Sequence, residues 1–213
     1  MSREATDSDA WRSYTRAFIA EFAARGGDEY ESTIRSFAGS DNPDIAWRAR
    51  RALAARGLVD EDTIESWRSA DGSGEAARMS VEALASLPSE EARASAWESV
   101  FSDSLSNDHL TATLAGLAAS SWEDKSGIEA AVERLESYWD SHTIGMALRY
   151  ANGVLALCVD IDRDGSVERS VGLVRHWLEQ HEDAPAQLRR IVTEHADAFE
   201  RCERVQRLWR HDQ

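Results

Sequence analysis

The residues with the clearest capacity for chemistry form one acidic run, Asp160-Ile161-Asp162-Arg163-Asp164-Gly165-Ser166-Val167-Glu168. Counted from Asp160, carboxylates stand at the first, third and fifth places and a glycine at the sixth, the opening of a calcium loop of the helix–loop–helix kind. Glu168 supplies an oxygen for the ninth place. The twelfth place is Val171, where such a loop needs a glutamate that closes on the ion with both oxygens. The run is therefore read as an acidic turn between helices, with a calcium-responsive module as the rival reading.

The other reactive residue types do not fall into a catalytic spacing. The histidines are His109, His142, His176, His181, His195 and His211, and no HExxH pair lies among them. His176 and His181 are five residues apart, which carries them off a common helix face, and residue 185 after His181-Glu182 is proline. No GxSxG, GxxxxGK[ST] or GxGxxG motif occurs, and Asp71-Gly72-Ser73-Gly74 is too short and acidic to cradle phosphate. Arg48, Arg50 and Arg51, or Arg189 and Arg190, could grip a carboxylate with paired N–H groups; the rival reading of each is a solvated helix face. Cys158 and Cys202 lack CxxC spacing and read as buried thiols. No catalytic, cofactor-binding or metal-binding residue is assigned.

The elements around these residues all read as helix. Alanine, leucine, glutamate and arginine dominate, and strand signals are nearly absent. Trp11, Tyr14, Phe18 and Phe22 recur at spacings of three and four, predicting one inward face on a helix over about 8–25 that ends at Gly26-Gly27. Tyr30, Ile34 and Phe37 predict a second inward face. Asp41-Asn42-Pro43 starts a helix with Ile45, Trp47, Ala49 and Leu53 inward, and Gly57 stops it. Asp60, Ser89 and Ser106 read as N-caps of later helices. Ile128, Val132, Leu135 and Trp139 mark one helix, and Ile144, Leu148, Ala151 and Leu155 another. The segment from Ala186 to Trp209 is expected to break near His195, as two helices or as one kinked helix. Ten or eleven helices result.

Composition narrows the partners. The 213 residues carry 39 acids against 24 bases, a formal net charge of -15, and Lys125 is the only lysine. Such a surface repels phosphate, so neither nucleic acid nor an anionic membrane is an expected partner. No apolar run is long enough to span a bilayer, and the polar N-terminus lacks a signal-peptide core, so the cytoplasm is the expected compartment. The eight tryptophans spread from Trp11 to Trp209. Large apolar residues dispersed in this way suit a right-handed superhelical stack of antiparallel helix pairs, a HEAT/armadillo-like α-solenoid, better than one central core. Residues 1–213 read as a single α-helical repeat domain.

The stretch from Ala96-Trp97-Glu98-Ser99-Val100-Phe101 through Ser106-Asn107 to Leu110-Thr111-Ala112-Thr113-Leu114-Ala115-Gly116 resembles the C-terminal helical domain of aminopeptidase N-type zinc metallopeptidases, particularly the actinobacterial type. Trp11 with Thr15-Arg16-Ala17-Phe18, Trp47 with Leu53, Gly57 and Asp60-Glu61, and Leu188-Arg189-Arg190-Ile191-Val192 follow in the same order. The resemblance runs from about Trp11 to Trp209 and diverges over Asp160 to Val171.

It implies an α-helical superhelix, like the C-terminal domain of endoplasmic-reticulum aminopeptidases, that covers the active-site cleft and limits entry to peptides. The zinc, its HExxH ligands and the Gly-x-Met-Glu-Asn segment of that family belong to a preceding catalytic domain; neither motif is in this chain. The implied partners are a catalytic domain of the same polypeptide and a peptide substrate, and the chain reads as beginning inside the helical domain. A free-standing helical scaffold for a protein partner is the alternative.

Overall fold

The computed structural model describes residues 9–102, 105–120, 126–159 and 165–211, the side chains at 126 and 209–211 excepted. Twelve α-helices and no strand occur among them. They group into two compact units, Met1–Trp122 and Glu123–Gln213.

The first unit holds α1 (Asp9–Arg25), α2 (Asp28–Ala38), α3 (Pro43–Ala55), α4 (Glu61–Ala70), α5 (Gly74–Ala85), α6 (Glu90–Val100) and α7 (Asn107–Ala119). Local chemistry sets most of the starts. Asn42 accepts from the amides of Asp44 and Ile45, with Pro43 in the first turn, and Asp60, Ser73, Ser89 and Ser106 each accept from an amide three residues on. Gly26, Gly27 and Gly57 take positive φ at helix ends, where a side chain would be strained. Two helices organise the unit. The alanine-rich α3 packs on α1, α2, α5 and α7, and α5 packs on α3, α4, α6 and α7. Ala49, Ala52 and Leu53 of α3 meet Ile19, Phe22 and Ile34, while Ala54 meets Ile64, Ala83 and Leu87.

The inward faces differ in part from the sequence expectation. Along α1 the buried residues are Thr15, Ile19 and Phe22, and Tyr14 is 78% exposed. Trp11 and Phe18 stay at the flank of that face, each edge-on to Phe37. The face is chosen by contact with α3, and aromatic spacing along α1 does not reveal it. Ile45, Trp47, Ala49 and Leu53 are all buried, as are Leu110, Leu114 and Leu117.

The second unit holds α8 (Ser126–Glu133), α9 (Leu135–Ser141), α10 (Ile144–Leu157), α11 (Ser166–Gln180) and α12 (Ala186–His211). The helix expected around Ile128 to Trp139 is two helices, divided at Arg134. Of the two forms expected near His195, two separate helices are not found: α12 is one helix of 26 residues. No proline or glycine lies within it, and the Thr193 hydroxyl donates back to the Arg189 carbonyl at 2.8 Å without interrupting the helix. Tyr150 is fully buried between α10 and its neighbours; its ring stacks on Tyr138 at 3.8 Å and its hydroxyl donates to the Ala131 carbonyl at 2.9 Å. Burial pushes that phenol far above its ordinary range. Among the described residues no helix is long and apolar enough to cross a membrane.

Candidate functional site

The arginines that sequence spacing grouped do not form one clamp. Arg48 donates to Asp44 at 2.9 Å, Arg50 donates to the Ala38 carbonyl at 3.1 Å, and Arg51 pairs with Glu82. Arg48 and Arg51, three residues apart, share a helix face but are taken by different carboxylates, while Arg50 points off that face. Arg50 instead lies over the indoles of Trp47 and Trp67, at 4.8 and 5.4 Å from the ring centroids. Arg189 donates to the Leu178 carbonyl at 2.9 Å and also to that of His181, which ties α12 to the end of α11, while Arg190 pairs with Glu194.

What the fold does bring together is a charged hollow of about 620 Å³ between α3 and α5, lined by Asp44, Trp47, Arg48, Arg51, Asp71, Glu75, Arg78 and Glu82 among others. The Trp47 indole N–H donates to Asp71 at 2.8 Å. Burial pushes the Asp44 carboxyl up, but hydrogen bonds from Arg48 and Arg16 outweigh it and hold the group below its usual range. The hydrogen bond from Trp47, aided by Ser73, does the same for Asp71. Glu82 is 8% exposed and faces both Arg51 and Arg78. The lining carries three arginines against four carboxylates, so the hollow is internally neutralised and offers no net positive site for an anion. Its chemistry is structural. Glu82→Ala is expected to lower stability by about 2 kcal/mol, because it leaves two guanidinium groups without their shared partner. A urea titration followed by circular dichroism checks this; a loss below about 0.5 kcal/mol would contradict it.

A second hollow, of about 670 Å³, lies in the same unit, with α4, α5, α6 and the link between α5 and α6 around it. Val59, Val81, Leu84, Leu87 and Pro88 give it apolar walls, and Ala92, Ser95, Ala96 and Ser99 form a small-residue wall on α6. Asp60, Glu61 and Glu91 are its only ionisable lining groups, and all three are exposed. Sequence spacing missed this hollow, because its walls come from positions scattered between Gly57 and Thr113, while its acids look like ordinary partners of helix N-termini.

The remaining candidates stay apart. Residues 160–164 of the acidic run lie outside the described residues; of the rest, Gly165 has φ 72 and Ser166 is buried at the start of α11. The Ser170 hydroxyl donates to the carbonyls of Ser166 and Cys158, and Val171 is half-buried. His176 is exposed, whereas His181 stacks on Trp177 at 4.4 Å and lies 3.7 Å from Glu136. Cys158 is buried and Cys202 partly buried, and both are thiols. Among the described residues no group of three His, Cys, Asp or Glu side chains is placed to hold a metal ion.

His195 on α12 lies 3.5 Å from the Asn152 side chain of α10, and its burial draws the imidazole pKa below 6.5 against the opposing pull of Glu194. The unfolded chain then takes up this proton at higher pH than the folded one. Stability contributed by neutral His195 is complete above about pH 6.5 and is lost as pH falls through the folded pKa. The difference in urea midpoint between pH 7.5 and 5.5 is expected to shrink in His195→Gln; an unchanged difference would contradict the assignment.

No family model matches the chain. Over 166 residues, 76% of its length, the chain is 31% identical to Aminopeptidase N of Streptomyces lividans, and the match covers 19% of that protein. The chain thus spans about a fifth of the length of the curated relative it matches. Its sequence similarity and its all-helical structure are consistent with a domain of an aminopeptidase.

Proposed function

We propose that this chain is the non-catalytic C-terminal helical part of a zinc aminopeptidase of the aminopeptidase N type, acting in the cytoplasm. Its helix pairs stack as a superhelical wall over the active-site cleft of a catalytic domain on the same polypeptide, and limit which peptides reach it. The observation that carries this reading is the 31% identity to an aminopeptidase N across three quarters of the chain. Two features of the described structure support it. The first unit has concave hollows, and the buried carboxylate Glu82 is engaged in ion pairs, one of which joins α5 to α3. A wall of this kind selects peptides by exclusion and contact, without chemistry of its own. Zinc, in this reading, supplies Lewis-acid activation of water in the catalytic domain, and none of the described residues here holds it.

The test is an activity assay on two samples. Polypeptide captured from source-cell extract with an antibody to this chain is expected to hydrolyse leucine p-nitroanilide, with loss of activity under a chelator. The purified 213-residue chain is expected to give no hydrolysis, with or without added zinc. Zinc-dependent hydrolysis by the pure chain would overturn the reading.

A further inference from the structure

The apolar hollow in the first unit has a composition that selects its occupant. Its volume of about 670 Å³ falls within the range of small-ligand sites. Leu84 and Val81 are half-buried and Leu87 is buried, so the walls can take an apolar side chain out of water. Ala92, Ser95, Ala96 and Ser99 recur along α6 at spacings of three and four, and therefore line one face over two helical turns, about 10 Å. That length matches about three residues of extended chain. Small side chains let a peptide backbone approach, and the serine hydroxyls can both donate to and accept from its amides.

Charge then sets the sign of the occupant. The rim carries Asp60, Glu61 and Glu91 and no Lys, Arg or His. The N-termini of α4 and α6 both reach the hollow, and each contributes only about half a positive charge. The three carboxylates outweigh them. The neighbouring charged hollow shows the contrast, since its acids are matched by arginines within the same lining.

We propose that this groove binds a short extended peptide segment, with an apolar side chain in the hollow and flanking lysine or arginine residues against Asp60, Glu61 and Glu91. The inference deepens the chamber-wall reading by naming the class of peptide the wall retains, and rests on that reading for the source of the peptide. Binding is measured on this chain alone and without hydrolysis, so its failure leaves the aminopeptidase reading standing, and the reverse also holds.

The probe is a fluorescein-labelled acetyl-Arg-Leu-Arg-Leu-Arg-amide, titrated with the 213-residue chain by fluorescence anisotropy. Saturable binding in the tens of micromolar is expected. The Arg-Gly-Arg-Gly-Arg and Glu-Leu-Glu-Leu-Glu counterparts are expected to bind at least tenfold more weakly. Ser95→Trp places a large ring at an exposed edge of the groove without changing net charge, and is expected to weaken binding about tenfold. The surface pair Glu61→Gln/Glu91→Gln is expected to weaken it several-fold. Absence of saturable binding overturns the proposal. So does equal binding of the Arg-Gly peptide, which would mean attraction to the acidic surface alone, and so does binding that neither variant weakens.

Discussion

Replacing Trp47 by alanine is expected to destabilise the Met1–Trp122 unit by about 4 kcal/mol, within the range for buried Trp-to-Ala truncations. Three contributions act together. The indole is 1% exposed, so truncation leaves a large cavity in the middle of α3. Its N–H is the leading cause of the lowered Asp71 pKa, and the loss of that 2.8 Å bond frees the carboxylate at the end of α4. Arg50 also loses one of the two rings over which it lies. Trp47→Phe keeps a ring for Arg50 but not the hydrogen bond, and is expected to lose roughly half as much. Urea unfolding followed by circular dichroism should show the alanine midpoint lower by about 2 M, given ordinary urea slopes for a unit of this size. A loss within about 1 kcal/mol would mean that the indole is not the pin between α3 and α4 described above.

Gly116→Ala is expected to cost about 3 kcal/mol, although alanine is the better helix former by about 1 kcal/mol. The reason is the crossing of α7 with α5. A Cβ at this position would lie 2.6 Å from the Ala85 Cβ and 3.1 Å from the Ala85 carbonyl carbon, and would also meet the Glu82 carbonyl oxygen. Two of these are backbone atoms, so relief requires the two helices to separate. The same shift would disturb Glu82 and the groove wall formed by Leu84 and Ala85. Gly172 in α11 supplies the opposite case. Nothing lies within 4 Å of an added Cβ there, and Gly172→Ala is expected to stabilise the second unit by up to about 1 kcal/mol. Thermal melts of the two variants should move in opposite directions; a neutral or stabilising Gly116→Ala would contradict the close helix crossing.

These two glycines show where the sequence stops being informative. Both stand inside helices of ordinary composition, and only the partner helix distinguishes them. Features decided within a few residues were legible: the caps Asp60, Ser89 and Ser106, the helix start at Asn42-Pro43, the glycine stops at Gly26 and Gly57, and the strongly periodic face of α3. Features decided by tertiary contact were not. Tyr14 fits the aromatic spacing of α1, yet the face that meets α3 is carried by Thr15, Ile19 and Phe22. Arg134 divides α8 from α9 in a right-handed helical conformation that any residue can take, so no proline or glycine marks the point. Arg51 gave no sign of its pairing with Glu82, 31 residues away. The acid-rimmed groove was hidden for the same reason, because Asp60 and Glu91 each stand at a recognisable helix start and come to line one hollow only because α4 and α6 both pack on α5.

The functional account follows from that geometry. Leu84 and Ala85 on one side and Ala92 to Ser99 on the other define the groove in which the proposed peptide would lie. Its acidic rim agrees in sign with the chain's net charge of -15, so the proposed selectivity for a basic peptide with an apolar side chain has to come from the apolar walls as well as from charge. In the proposed function, the similarity to an aminopeptidase N is what gives such a wall a use.

The most direct test of that setting is the size of the native polypeptide, measured by immunoblot of source cells with an antibody raised to this chain. The account predicts a band far above 23.7 kDa, large enough to include a catalytic domain. A band at 23.7 kDa would contradict it and would make the chain an independent helical protein.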